Sequence, residues 1–326
     1  MSVRKAIGFV MVAVACAFGG LVFRGSVAAD YPVKPVRLVV PYSPGGNTDV
    51  LARLIARKLT ESWKQEVVVD NRPGGNTVIG TGIVARAPAD GYTLLFTTLT
   101  FSVLPSMQAN LPFDSTRDFS PVSLAVTLPN VLVLNPSTPV KTVTEFIQYA
   151  KANTGKLAYA STGAGTSPHL SMELLKSMAG LDMTHVPYKG GAPALTAVIA
   201  GQVTAVFTGL PIVIPHVKAG RLRALGVTSA ERSDVAPDIP AINETLPGYQ
   251  VDPWFGLLAP AGTPRKLVAM LQKETSRALQ LADVKAYLQK TGAKPVGSTP
   301  EKFSAHINAE IRKWRDLLRR LGINPQ

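Results

Sequence analysis

A chain of 326 residues that is 46% hydrophobic can bury a large core and divides naturally into two domains, which excludes a disordered protein. Its single cysteine, Cys16, lies near the N-terminus, so the rest of the chain has neither a disulfide nor thiolate chemistry. The formal net charge is +13, but the basic residues are dispersed and their densest group, Arg312-Lys313-Trp314-Arg315 with Arg319-Arg320, lies on one periodic helix, which argues against nucleic acid as partner.

The N-terminus carries Arg4 and Lys5, an apolar run from Ala6 to Phe23, and small residues ending Val27-Ala28-Ala29. This order fits a signal peptide over residues 1–29, cut before Asp30, and hence export to the periplasm. The glycines in the run argue against a single anchoring helix, and lipid attachment at Cys16 is a weaker alternative. Removing Arg4, Lys5 and Arg24 with this segment lowers the charge from +13 to +10, a field that either steers anions or only solvates the surface.

Val36 to Val40 is short, apolar and β-branched, as a buried strand requires, and Pro41 stops it. Ser43-Pro44-Gly45-Gly46 supplies turn chemistry, and Asn47 or Thr48 is placed to cap a helix whose Leu51, Leu54, Ile55 and Leu59 share a face. A helix start exposes backbone N–H groups, and glycines let an anion approach them. Pro44-Gly45-Gly46-Asn47-Thr48 is repeated as Pro73-Gly74-Gly75-Asn76-Thr77 after the apolar run Val67 to Val69, so two such turns can face one ligand. Neither turn matches a nucleotide-binding motif.

Val78 to Ala87 reads as a helix, Ala89-Asp90-Gly91 as a turn, and Tyr92 to Thr98 as a strand that brings Thr97 and Thr98 to its carboxyl end, where open α/β sheets bind ligands. Leu111 to Ser120 is irregular. Val122 to Leu134, interrupted by Pro129, suits a strand crossing between domains. Thr142 and Glu145 form a capping box for a helix to about Asn153. A strand at Leu157 to Ala160 then leads into a third glycine turn, Ser161 to Ser167, with Pro168 at a helix start and Gly180 at its end.

His185 to Gly191 reads as a further loop, Pro193 as the start of a helix to Gly201, and Val203 to Phe207 as a strand ending at Thr208-Gly209. A short helix from Ile212 to Ala219 and a strand from Leu222 to Val227 follow. Val251 to Leu258 is a second crossing strand back to the first domain. Thr263-Pro264 and Thr299-Pro300-Glu301 open the closing helices, and Phe303, Ile307, Ile311, Trp314, Leu318 and Leu321 keep helical spacing as core contacts.

Taken in order, VRLVVPYSPGGNTDVLAR, VVVDNRPGGNTVIGTGIVARAPADGYTLL, STGAGTSPHL, VPYKGGAPALTAVIAGQV and GRLRALGVTS resemble the tripartite tricarboxylate transporter substrate-binding proteins, the Bug receptors. The resemblance spans the mature chain from about Tyr31. It implies an α/β, two-lobed periplasmic binding protein, type II-like, with two crossing hinge strands: residues 30–132 and 253–326 in lobe 1, residues 133–252 in lobe 2.

It further implies a small, usually carboxylated solute held by backbone N–H groups and hydroxyls rather than by an arginine, and delivered to the membrane subunits of a transporter. The ligand-binding residues it implies are Tyr42, Ser43, Gly46, Asn47, Asn76, Thr77 and Thr97 from lobe 1, with Ser161, Thr166, Ser167 and Tyr188 from lobe 2. Thr208 joins them as a candidate. The chain lacks the acidic residue that family members often carry near Ala197 and Thr208, which argues against an amino acid ligand, and its Gly75-Asn76-Thr77 turn is bulkier than the family's form. A monomer without cofactor or metal is expected.

The rival classes are an enzyme and a receptor reporting to a membrane sensor. Ser167 and His169 are near in sequence, but their side chains diverge on a helix start and no Gly-x-Ser-x-Gly elbow occurs. His169, His185, His216 and His306 lack metal spacing. Asp49, in a first helical turn, complements the helix dipole more simply than it acts as a base. Lys189 either faces the pocket or packs its stem at the lip.

Overall fold

The structure, a computed structural model, describes residues 31–188 and 190–323. The signal-peptide reading of residues 1–29, Cys16 and Lys189 lie outside the described residues.

In chain order the elements are β1 (Val36–Val40), α1 (Asn47–Trp63), β2 (Val67–Asn71), α2 (Val78–Ala85), β3 (Thr93–Thr98), α3 (Thr100–Met107), β4 (Phe119–Thr127), β5 (Asn130–Leu134), α4 (Val143–Ala152), β6 (Ala158–Ser161) and α5 (Ser167–Ala179). They continue with β7 (Thr184–Pro187), α6 (Gly191–Ile199), β8 (Ala205–Gly209), α7 (Leu210–Lys218), β9 (Arg223–Val227), α8 (Ile242–Thr245), β10 (Trp254–Pro260), α9 (Arg265–Gln280), α10 (Ala282–Lys290), β11 (Lys294–Pro295) and α11 (Pro300–Arg320).

Two sheets organise these elements, one in the order β11-β4-β10-β3-β1-β2 and the other β7-β6-β8-β5-β9. In the first, β1 runs parallel to β2 and β3, so Pro41, Arg72 and Leu99 all leave the same edge. In the second, β6 runs parallel to β7 and β8, which brings Ser161, Pro187 and Gly209 to a common edge. These edges are where a doubly wound sheet leaves room for a ligand.

The chain crosses between the sheets twice. β4 ends at Thr127 in the first and β5 begins at Asn130 in the second, around Leu128 and Pro129. The return passes alongside: Leu128 N–H donates to the Pro253 carbonyl at 2.9 Å, and Val251 N–H to the Thr228 carbonyl at 2.9 Å. Backbone hydrogen bonds thus tie the two crossings to each other.

α11 closes the first lobe. Phe303, Ile307, Trp314 and Leu318 are buried, Ile311 and Leu321 half-buried, and the Phe303 ring lies edge-on to Trp254 with centroids 5.3 Å apart. Phe303 reaches the sheet because Gly256 on β10 has no side chain; a methyl there would overlap the ring. Thr299 caps α11 by accepting Lys302 N–H, and Thr142 caps α4 by accepting Glu145 N–H at 3.1 Å, while Glu145 reaches back to Lys141 N–H rather than to that of Thr142.

The stretch after β3, to which the sequence reading assigned no element, forms α3 despite Pro105, because Phe101, Val103 and Leu104 are fully buried and α3 packs under α11. Two local expectations need correction. His185 to Pro187 is strand rather than loop; β7 is an edge strand, where a proline costs no ladder hydrogen bond. Thr263 does not cap α9: its hydroxyl donates to the Pro260 carbonyl at 2.7 Å.

Candidate functional site

The first glycine turn is held from below by Asp49. This carboxylate, 3% exposed, accepts Gly45 N–H at 2.9 Å, Arg53 Nε at 3.0 Å and Asn71 Nδ2 at 3.0 Å. Asn71, at the end of β2, also donates to the Tyr42 carbonyl at 3.0 Å, so one carboxylate ties the turn to two strand ends. Burial pushes the Asp49 carboxyl up, but the hydrogen bonds from Arg53, Gly45 and Asn71 outweigh it and leave the pKa lowered. Asp49 is therefore a strut of the turn.

α1 begins behind Gly46 without a side-chain cap, so neither Asn47 nor Thr48 performs the capping expected of it. Gly46 and Ser43 are exposed and Asn47 is half-exposed. Tyr42 points its hydroxyl at Thr98 Oγ1, 2.7 Å away, and burial raises its pKa, so the phenol stays protonated as a neutral hydrogen-bonding group.

The second turn takes an uncommon path. Gly74, Gly75, Asn76 and Thr77 all have positive φ, at 122°, 54°, 51° and 78°. A β-branched residue in the left-handed region is a genuine outlier, and such strain persists only where the surroundings impose it. Beyond the turn, α2 packs closely at Gly80, where a methyl would lie 2.7 Å from the Arg72 carbonyl oxygen and 2.8 Å from Pro41 Cβ. α2 thus sits directly against the residues that open both turns. Thr77 and Thr97 are buried, and their hydroxyls, like those of Thr81 and Ser102, meet no protein partner among the described residues.

In the second lobe the Ser161 to Thr166 loop folds on itself. Thr166 Oγ1 donates to the Gly163 carbonyl at 2.6 Å instead of capping α5, and Ser167 Oγ accepts Asn130 Nδ2 at 3.2 Å. The Ser161 hydroxyl is wholly buried; it accepts Gly163 N–H at 3.0 Å and lies 2.6 Å from His185 Nε2. Tyr188 joins the loop through its N–H, which donates to the Ser161 carbonyl at 2.9 Å. α6 and α7 begin behind Gly190 and Gly209, again without side-chain caps, and a methyl on Gly191 would lie 3.7 Å from Thr208 Oγ1.

The two lobes meet at these turns. A methyl on Gly165 would lie 3.5 Å from Asn76 Nδ2, and one on Gly209 would lie 3.1 Å from Asn47 Nδ2. Each PGGNT asparagine therefore reaches a glycine of the opposite lobe. Ser167 and His169 do not pair with each other: Ser167 Oγ accepts from Asn130 Nδ2, and His169 Nδ1 accepts Gly165 N–H at 3.2 Å. No group of three or more His, Cys, Asp or Glu side chains with metal-holding geometry occurs among the described residues.

The sequence reading passed over Asn130, and gave His169 and His185 no part in the solute site. A polar residue directly after the crossing Pro129 is a local signal for Asn130. His185 carries none, because its partner Ser161 lies 24 residues away on another strand, whereas the partner of His169, Gly165, lies only four residues before it.

Residues 51–323 match the family model described as the tripartite tricarboxylate transporter family receptor. The chain is 38% identical over 300 residues to BugT of Bordetella pertussis, covering 91% of this chain and 92% of that protein. A solved R. palustris structure with adipate is similar at 38% identity and TM-score 0.85, with 91% of this chain and 100% of that one covered. MatC from Rhodopseudomonas palustris with bound malate is similar at 34% identity and TM-score 0.79, covering 88% of this chain and 100% of that one. No helix among the described residues is long and apolar enough to cross a membrane, and both fold and family are those of solute-binding receptors. With two α/β lobes, paired crossings and a family match over most of its length, this chain belongs to the receptors of the tripartite tricarboxylate transporter family.

Proposed function

We propose that this receptor closes its two lobes on a small dicarboxylate in the periplasm and presents the closed form, as a monomer, to the membrane subunits of a tripartite tricarboxylate-type transporter. The carrying observation is the pair of inter-lobe approaches, Asn47 to Gly209 and Asn76 to Gly165, which put neutral side-chain donors of one lobe against the glycine turns of the other. Adipate and malate in similar structures at 34–38% identity support the ligand class. Export follows from the reading of residues 1–29 as a signal peptide, and the lobes from residues 30–132 with 253–326 and residues 133–252.

One carboxylate docks on the Gly46 and Asn76 turns through backbone N–H groups, Asn47 and the hydroxyls of Tyr42, Ser43, Thr77 and Thr97. Closure then brings up the Thr166 and Ser167 turn, with Tyr188 and Thr208 at the margin and Ser161 shaping the loop from behind. Uncapped helix starts favour an anion without a buried counter-charge, since their partial positive charge is fixed in the backbone. A ligand shifts the open and closed populations only by its differential affinity for the closed form, which is what donors split between lobes provide.

Isothermal titration and thermal shift with adipate and malate test this reading. Ligand at about 100 times its dissociation constant adds about 2.7 kcal/mol of stability. If neither compound nor any other short dicarboxylate shifts the transition, the proposed ligand class is wrong.

A further inference from the structure

Beneath the loop at residues 161–166 lie two imidazoles to which the solute reading gives no part. His169, on the first turn of α5, is 5% exposed, and its Nδ1 accepts Gly165 N–H at 3.2 Å. A ring nitrogen that accepts an N–H carries no proton, so the neutral ring bears its hydrogen on Nε2. His185, on β7, lies with its centroid 4.4 Å from that of His169, and its Nε2 contacts the same Ser161 oxygen that accepts Gly163 N–H. His185 in turn stacks on Tyr159, centroids 5.0 Å apart and planes 19° apart.

We propose that His169 is a positioning residue of the solute site: its unprotonated Nδ1 aims the Gly165 N–H and so fixes the loop that meets Asn76 of the other lobe, while His185 holds Gly163 through Ser161. This role rests on the reading of the loop as part of the solute site. The anchoring of the loop by one ring nitrogen does not depend on any solute.

The surroundings keep the anchor neutral. Facing the pair are Tyr159 from β6, and Glu173 and Lys176 from α5; Tyr159 Oη donates to Glu173 Oε1 at 2.5 Å, and Lys176 Nζ donates to the same oxygen at 2.7 Å. Glu173 is thus already engaged twice, which weakens its pull on a ring proton. Burial lowers the His169 pKa to about 4, with His185 and Lys176 acting in the same direction and Glu173 against it. Burial also lowers His185. The Gly165 bond is therefore present throughout the neutral range.

The test compares His169→Gln with His169→Asn in the full chain labelled with 15N-glycine. Asparagine carries its oxygen near the position of Nδ1, whereas glutamine extends beyond it, so only the first variant can replace the acceptor. Loss of the acceptor leaves a buried N–H unpaired, so His169→Gln is expected to speed Gly165 amide exchange about tenfold and to weaken adipate binding about tenfold. His169→Asn is expected to hold both within about threefold of wild type, because the acceptor is restored.

Unchanged Gly165 exchange in His169→Gln overturns the anchor. Faster exchange with unchanged adipate affinity overturns the positioning role. If wild type binds neither adipate nor malate, the solute reading and the positioning role fall together, while the exchange rates still decide whether His169 holds the loop.

Discussion

Asn47 at the start of α1 and Gly209 at the end of β8 share one contact between the lobes: a methyl on Gly209 would lie 3.1 Å from Asn47 Nδ2 and 3.5 Å from Leu128 Cδ2. Gly209 has φ −66°, a conformation open to any residue, so its lack of a side chain is not demanded by its own backbone. The nearest atom to that space comes from the opposite lobe.

Side chains at position 209 should therefore act on closure and not on folding of the lobe. Gly209→Ala asks one amide to move by a few tenths of an ångström and should weaken adipate affinity a few-fold; Gly209→Val, a larger overpacking, should cost about 1–3 kcal/mol of binding. Titration calorimetry reads the affinity, and small-angle scattering with saturating adipate reads the closed fraction. Normal affinity in Gly209→Val would show that the lobes do not meet at this contact when solute is bound.

Thr77 offers a change in the opposite direction. It holds a β-branched side chain at φ 78° with a buried hydroxyl that meets no protein partner, so little is lost by replacing it. Thr77→Asn, better suited to the left-handed region, should raise stability by about 1 kcal/mol. Urea unfolding measures this, and a lower midpoint would mean that Thr77 packing outweighs its backbone strain.

Removing Asp49 should do the reverse. Asp49→Ala leaves Gly45 N–H without its acceptor and takes one of two acceptors from Asn71 Nδ2, which keeps the Tyr42 carbonyl, and should cost about 1–3 kcal/mol. The folded pKa is lowered, so the contribution is complete above the unfolded value of about 4 and disappears as pH falls below it. Wild type and Asp49→Ala should therefore converge in stability on acidification; a constant difference down to pH 2 would deny the carboxylate this role.

His169 gives a second pH dependence in a different window. Its pKa falls from an ordinary 6.5 to about 4 in the folded chain, so between those values the unfolded state binds more protons. Stability from this group is complete above about pH 6.5 and is lost as pH falls toward 4, by about 3 kcal/mol in all. Unfolding free energies of wild type and His169→Asn across pH 4 to 7 should diverge by that slope. Parallel curves would show that the ring titrates normally.

The sequence carried the local half of this structure well. The helical spacing of Phe303, Ile307, Trp314 and Leu318 appears as one buried face, and Thr142 and Thr299 accept the N–H groups their positions predict. The repeated PGGNT turns stood out because glycine and proline constrain the backbone wherever they occur. The same reasoning placed caps at Asn47 and at Thr263, where the structure has none, since a cap competes with every other acceptor that folding brings near.

Sequence alone thus determined the α/β class, the order of strands and glycine turns, and the family resemblance, all of which follow from residues within a few positions of one another or from motifs in fixed order. Only the tertiary structure decided that a proline-bearing segment becomes α3 beneath α11, that β7 is an edge strand, that each PGGNT asparagine faces a glycine of the other lobe, and that His169 and His185 meet, tilted to each other, under the third turn. Those outcomes depend on contacts between residues far apart in the chain, and no local propensity encodes a partner that arrives only when two sheets and their crossings have packed.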